Sequence, residues 1–134
     1  MRYKEFNTNS VLEKCINLFW RGGFGSCSIK DIVDETGVNR YSLYEEFENK
    51  EGILSNALEL YLERYAEPNI AGLSKIGDVK DILESFYHSY LVPNEKHPPG
   101  CFIVHVATEM ADHNPEIKSY LERYLNKIEK AIAK

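Results

Sequence analysis

The chain has 134 residues, a length that fits one domain or a small reading unit joined to a small helical core. No apolar run approaches the roughly 18 residues of a membrane span, no signal-peptide core follows Met1, and three widely spaced cysteines form no disulfide framework, so we expect a soluble, cytoplasmic protein without membrane contact. The net charge of −5 argues mildly against nucleic acid, because DNA affinity depends on Lys and Arg displacing counterions from phosphates.

The first predicted helix runs from Thr8 to about Arg21 and ends at Gly22-Gly23. Its apolar residues recur with helical spacing at Leu12, Cys15, Ile16 and Phe19. Cys15 falls in this stripe and is interpreted as a small core residue. Cys27 precedes the next helix, where a thiolate would be favoured, but a structural role is again the preferred interpretation.

The segment from Ser28 to Lys50, SIKDIVDETGVNRYSLYEEFENK, predicts two short helices joined by a tight turn. Ser28 stands three residues before Asp31 and just ahead of an apolar repeat, which is a helix start. Gly37 can adopt the positive φ that ends a helix, and Asn39 can cap the helix that follows. The pattern therefore predicts a helix-turn-helix.

In the second of these helices, Leu43 and Phe47 should face inward, while Arg40, Tyr41, Ser42 and Tyr44 have room to face out. A helix that projects its N-terminal residues in this way has the geometry needed to enter a DNA major groove. We predict that Arg40, Tyr41 and Ser42 reach base edges: Arg40 can pair with guanine, and Tyr41 can contact a thymine methyl group. The alternative is that these are solvated surface residues.

Charge placement matters more here than net charge. Lys30, Arg40 and Lys50 lie at helix N-termini or in the projecting helix, where backbone N–H groups also donate to phosphates. Glu45 and Glu46 lie in the same helix, and two carboxylates close to phosphates would repel them. We therefore expect either modest DNA affinity or a helix end that tilts away from the DNA backbone.

The rest of the chain also reads as helix, apart from two breaks. Apolar residues at helical spacing predict a helix from Gly52 that Pro68 closes, and residues 68–77 read as a loop. Asp78 can cap a helix over 79–92, a second break follows, and further helices are predicted over 100–114 and from Pro115 to the end. The predicted fold class is all-α.

The helix-turn-helix segment resembles the DNA-binding signature of the TetR family of transcriptional regulators. The matching positions are Ser28, Ile32, Gly37, Val38, Asn39, Ser42, Leu43, Tyr44, Phe47 and Lys50. The resemblance implies a three-helix DNA-binding domain over residues 1–50, followed over 51–134 by a linking helix and a partial, incomplete TetR-type helical ligand-binding and dimerisation domain. It also implies that Ser28, Tyr44 and Lys50 contact phosphates. We count Asn39, which matches the signature, and Lys30, which lies at a helix N-terminus, in the same DNA-binding surface.

A second resemblance lies in GCFIVHVATEMADHNPEI, which is similar to TetR-type ligand domains in which a helix begins Gly-Cys and carries a Glu near its middle. The later helices supply aromatic and soft apolar side chains suited to a small-molecule cavity, although such residues also form ordinary cores. The candidate ligand-binding residues are Phe86, Tyr90, Cys101, Phe102, His105, Glu109 and Tyr124.

Cys101, His105, Glu109 and His113 follow one another at i+4 steps along one helix face. All four cannot bind one ion, because residues eight apart on a helix are about 12 Å apart. A packed polar stripe or a pocket wall is preferred to a metal site. Cys101 lies in the first turn of a predicted helix, where a thiol pKa falls; an inert buried cysteine is preferred to an oxidant sensor.

These observations predict a ligand-responsive transcriptional regulator, a repressor that a small-molecule effector releases from a pseudo-palindromic operator in double-stranded DNA. In the family such a protein acts as a homodimer. The alternative is a helical ligand- or metal-binding module whose DNA binding is weak or lost, as the acidic balance suggests. No catalytic triad, buried carboxylate pair or phosphate loop is visible, so we expect neither an enzyme nor a cofactor.

Overall fold

The computed structural model describes residues 6–74, 77–91, 100–110 and 114–133. This part of the chain is built from α-helices, as the sequence predicted. Their bounds are α1 Thr8–Gly22, α2 Ile29–Thr36, α3 Arg40–Phe47, α4 Lys50–Tyr61, α5 Glu67–Ala71, α6 Val79–Leu91, α7 Phe102–Met110 and α8 Pro115–Ile132. None of the helices seen in these ranges is both long and apolar enough to cross a membrane.

The helix starts follow the capping side chains that the sequence offers. The side chains of Asn7, Ser28, Asn39 and Asn49 each accept a hydrogen bond from a backbone N–H in the first turn of α1, α2, α3 and α4 respectively. Such a cap satisfies donors that have no partner within the helix, and each stabilises the fold by about 1 kcal/mol. Local sequence therefore sets these boundaries.

The prediction that Pro68 closes the fourth helix is wrong. The chain leaves α4 through one π-helical turn, Leu62–Ala66, and continues into α5, which contains Pro68 in its first turn. Pro68 follows directly after the wider π-helical turn, so the helix continues past a residue that donates no backbone N–H instead of ending before it. The loop predicted over 68–77 is thus helical up to Ala71, and Gly72–Ser74 add a 3₁₀ turn.

One hydrophobic core joins the N-terminal helices to the later ones. Helix α1 packs on α4, α7 packs on α8, and α7 also contacts both α1 and α4. At their meeting point the rings of Trp20, Tyr61 and Phe102 lie with centroids 5.5–5.8 Å apart. Each such ring contributes about 1.5–3 kcal/mol on burial, so this aromatic cluster ties α1, α4 and α7 into one body.

The two cysteines of the N-terminal region are buried, in agreement with their structural interpretation. Cys15 has no exposed surface and Cys27 has 6%. Burial raises the pKa of the Cys15 thiol to about 12, and it raises the pKa of Cys27 as well. Both therefore pack as neutral, hydrophobic side chains.

Candidate nucleic-acid interface

Helix α2 and the turn after it have the geometry that the sequence predicted. Ser28 and Asp31 form a reciprocal capping box, in which each side chain accepts from the other residue's backbone N–H. The backbone hydrogen bond from Ser28 lowers the pKa of Asp31, which keeps that carboxylate charged. Gly37 has φ +74° and ψ +7°, the left-handed conformation that ends α2 and turns the chain into α3.

Helix α3 presents Arg40 and Tyr41 at its exposed N-terminal end. Tyr41 is 58% exposed, an unusual degree for a large aromatic side chain. Arg40 is also exposed, and its guanidinium carbon lies 5.4 Å from the ring centroid of the half-buried Tyr44. This stacking steadies the guanidinium without using its hydrogen-bond donors, which remain available for a base edge or a phosphate.

Ser42 does not face outward as predicted. Its side chain is only 8% exposed, because it lies on the flank of the face that buries Leu43 and Phe47. Leu43 and Phe47 themselves are buried as expected. The apolar repeat located the centre of the buried face, but only packing set how far that face extends around the helix.

The other predicted DNA-contacting residues have roles within the free protein. Asn39 caps α3 by accepting from the N–H of Ser42, 2.8 Å away. Lys30 pairs with Asp34 across one exposed helical turn, and this hydrogen bond raises the pKa of Lys30, so its ammonium group stays charged. Lys50 donates to the carbonyl oxygen of Phe24 at 2.7 Å, which leaves two further N–H donors on the ammonium group.

The acidic residues of α3 differ in exposure. Glu45 is exposed and follows Tyr41 by one helical turn, so it lies on the same outward face. Glu46 is half-buried and lines a cleft between α3, α4 and α8 together with Glu116 and Arg123. Glu45 is thus the carboxylate placed to repel a phosphate near the projecting side chains.

The predicted ligand-binding residues do not converge on one cavity in the described structure. Phe102 is fully buried in the aromatic cluster, and Tyr124 lies on the buried face of α8. Phe86 is half-buried and lines a cleft of about 450 Å³ between α5 and α6. The side chain of Tyr90 lies outside the described residues, so its role stays a prediction.

The remaining predicted stripe on α7 is divided between separate environments. Cys101 accepts a hydrogen bond from the Tyr61 hydroxyl at 3.5 Å, His105 is exposed, and Glu109 contacts the loop between α1 and α2. His113 lies outside the described residues. Within the described ranges, no group of three or more His, Cys, Asp or Glu side chains is arranged to hold a metal ion.

Comparison with known proteins agrees with this helical geometry. The family described as "Bacterial regulatory proteins, tetR family" matches residues 11–57, which cover α2, α3 and most of α1 and α4. YezE of Bacillus subtilis, described as an uncharacterized HTH-type transcriptional regulator, is 29% identical over 97% of the chain and 68% of its own length. ComR of Escherichia coli, described as an HTH-type transcriptional repressor, is 30% identical over 90% of the chain.

Residues 11–57 belong to the DNA-binding domain of the TetR family. Members of this family are DNA-binding transcriptional regulators rather than enzymes. The chain spans 59% of the length of ComR.

Two solved structures share the helical fold of this chain. Reduced NemR of E. coli superposes with a TM-score of 0.74 at 19% identity, over 94% of the chain and 67% of NemR. A cysteine mutant of CifR, a TetR family regulator complexed with a 26-base-pair operator, superposes with a TM-score of 0.70 at 17% identity, over 94% of the chain and 75% of CifR.

Two contacts near this interface were missed by sequence reasoning. The Glu109 carboxylate accepts from the N–H groups of Phe24 and Gly25, and the Glu13 carboxylate binds both Arg64 and the Tyr65 hydroxyl at 2.8 Å. The sequence predicts Glu109 as part of a pocket wall, but its partners Phe24 and Gly25 are 85 and 84 residues away in the chain. No local pattern signals such a pair, because each partner is unremarkable in its own segment.

Proposed function

We propose that this chain is a transcriptional repressor that reads operator DNA with the N-terminal end of α3 and leaves the operator when a small molecule binds the later helices. The observation that carries the proposal is the pair Arg40 and Tyr41, exposed at the start of a helix whose opposite face is buried. A projecting helix of this kind places its first side chains in the major groove. ComR, which is described as a repressor, supports the regulatory direction.

The DNA contacts divide into base-reading and phosphate-binding groups. Arg40 is proposed to pair with a guanine, and Tyr41 to contact a thymine methyl group. Ser28, Lys30, Tyr44 and Lys50 are proposed to bind phosphates that flank the groove, where they fix the position of α3 without reading sequence. In a homodimer the two α3 helices, about 34 Å apart, would match the two half-sites of a pseudo-palindromic operator.

The response to an effector is proposed to pass through α4. This helix begins beside α3 and ends in the aromatic cluster to which α7 also contributes. A shift of α7 would therefore move α4 and change the position of α3. A ligand that binds one arrangement more tightly would shift the population away from the DNA-competent one.

The proposal is tested by fluorescence anisotropy with labelled DNA from beside the chain's own gene, at several salt concentrations. We expect specific binding that weakens as salt rises. Arg40→Ala should lose about 1–3 kcal/mol, which is roughly 5- to 150-fold in affinity. The matched control is Lys130→Ala, which removes one exposed positive charge in the last turn of α8, roughly 20 Å along that helix from Glu116 beside α3.

The control should bind like the unmodified chain. Equal losses in the two variants would contradict base reading by Arg40. No specific binding even at low salt would instead favour the alternative of a helical ligand-binding module. A reporter gene behind the same DNA tests the direction of regulation: the unmodified chain should lower expression, and Arg40→Ala should not.

A further inference from the structure

The loop between α1 and α2 is held by a carboxylate from the far half of the chain. Glu109, in the last turn of α7, accepts from the backbone N–H of Phe24 at 2.9 Å and from that of Gly25 at 2.7 Å, one bond to each carboxylate oxygen. Hydrogen bonds to an ionised carboxylate are shorter and roughly twice as strong as neutral ones. This two-pronged contact therefore fixes both the position and the orientation of the loop.

The two glycines of the loop leave the space that the Glu109 carboxylate occupies. A Cβ at Gly25 would lie 2.9 Å from one carboxylate oxygen, and a Cβ at Gly23 would lie 3.3 Å from the other. Gly23 also has φ +85°, which favours glycine by itself, but Gly25 has no positive φ. Gly25 therefore leaves room for the carboxylate, and a Cβ at this position would push the flexible Glu109 side chain away.

The same loop is held from the other side by α4. Lys50, the first residue of α4, donates to the carbonyl oxygen of Phe24 at 2.7 Å, and its ammonium lies 4.2 Å from the centroid of the Phe24 ring. That ring is buried, with its centroid 5.3 Å from that of Phe19 in α1. The peptide groups of Phe24 are therefore held by both α7 and α4, in the loop that leads to Ser28, the cap of α2.

We infer that Glu109 is a positioning residue that couples α7 to the helix-turn-helix through the Phe24-Gly25 loop. Movement of α7 would break the two hydrogen bonds and release the loop. Because this loop leads into α2, its release would also change the positions of α2 and α3. The part of this inference that concerns DNA affinity rests on the proposed function. Because coupling between two sites is reciprocal, bound DNA should in turn favour the arrangement in which Glu109 holds the loop.

The first test needs no DNA and measures amide hydrogen exchange by NMR in Glu109→Gln and in the matched control Glu122→Gln, an exposed glutamate on α8. We expect the Phe24 and Gly25 amides to exchange at least tenfold faster in Glu109→Gln, with faster exchange also in α2. Amides of α8 should be unaffected in both variants. Unchanged Phe24 and Gly25 amides, or equal acceleration across the whole chain, would overturn the inference, since the latter reports only lower global stability.

A double-mutant cycle approaches the contact from the loop side. In Gly25→Ala the new methyl group should displace the carboxylate and accelerate exchange of the Phe24 amide by a similar factor. In the Glu109→Ala background the same substitution should change the exchange rate less than twofold, because no carboxylate remains to be displaced. Additive effects of the two substitutions would show that Gly25 and Glu109 act independently and would refute the contact.

The second test measures operator affinity in the anisotropy assay. Glu109→Gln should bind at least fivefold more weakly with an unchanged salt dependence, because the phosphate contacts themselves are intact. If Glu109→Gln loosens the loop but binds DNA like the unmodified chain, the coupling is refuted while the proposed function stands. If the unmodified chain binds no DNA specifically, the proposed function fails, and amide exchange alone decides whether Glu109 positions the loop.

Discussion

Gly52 lies in the first turn of α4, and replacing it by alanine should destabilise the protein although such a replacement within a helix usually stabilises it. Replacing glycine by alanine inside a helix ordinarily stabilises it by about 0.5–1 kcal/mol. Here a Cβ would overlap the carbonyl oxygen of Phe47, the last residue of α3, far inside the 3.0 Å within which real Cβ atoms essentially never approach another heavy atom. The obstacle is backbone, so no side-chain rotation relieves the clash.

The cost of Gly52→Ala follows from how the clash must be relieved. Either α3 moves away from α4, or the first turn of α4 unwinds and loses the hydrogen bond from the Gly52 N–H to the Asn49 side chain. Overpacking of this kind costs about 1–3 kcal/mol, and an obstacle made of backbone belongs at the upper end. After the helix-propensity gain is subtracted, we expect a net loss of about 2 kcal/mol of stability.

Urea unfolding followed by circular dichroism measures this change. With a slope of about 2 kcal/mol per molar, the midpoint should fall by about 1 M. The matched control is Gly72→Ala, because Gly72 has helical backbone angles and nothing within 4 Å of its Cβ position. That variant should be as stable as the unmodified chain or slightly more stable. A Gly52→Ala protein with an unchanged or higher midpoint would refute the close approach of α3 and α4.

Three further predictions concern charge and ionisation. Glu45→Gln should tighten DNA binding about two- to fivefold at low salt, because it removes a repelling charge beside Tyr41; weaker binding in the anisotropy assay would contradict this placement. Burial and the hydrogen bond to Glu13 raise the pKa of Tyr65 to about 12. Folding therefore favours the neutral form of Tyr65, and the stability that this contributes should be lost as pH rises from about 10 to 12. Urea midpoints measured across that range should show this loss in the unmodified chain but not in Tyr65→Phe. Iodoacetamide at pH 8 should alkylate the partly exposed Cys101 in the native protein, but the buried Cys15 only in denaturant. Peptide mass spectrometry measures the labelling of each cysteine, and equal labelling of the two in the native protein would contradict the burial of Cys15.

The predicted DNA-reading segment followed closely from local sequence, since its signals are short-range. Ser28, Gly37 and Asn39 act on backbone groups within three or four residues, so their caps and turn could be read directly from the chain. Ser42 shows the limit of such reading. It belongs to the same short helix, but its burial depends on neighbouring packing that a period of 3.6 residues does not specify.

The ligand-binding prediction depended on longer-range information and was correspondingly less specific. Helical spacing placed Cys101, His105 and Glu109 on one face of α7, yet the structure gives them three different surroundings. Different helices and loops can pack against one helix face along its length, and the sequence does not indicate which of them covers each turn. The prediction that Pro68 ends the helix failed for a related reason. The π-helical turn before Pro68 lets the chain continue into α5, and the sequence pattern does not signal that turn.

The sequence by itself determined that this chain is helical, where its N-terminal helices begin and end, and which family its DNA-binding segment belongs to. These properties depend on capping, glycine conformation and apolar periodicity, all of which act over a few residues. Only the tertiary structure decided that Glu109 holds the Phe24-Gly25 loop and that Gly52 has no room for a side chain. Those contacts join residues brought together by packing, and packing depends on the shapes of all the helices at once.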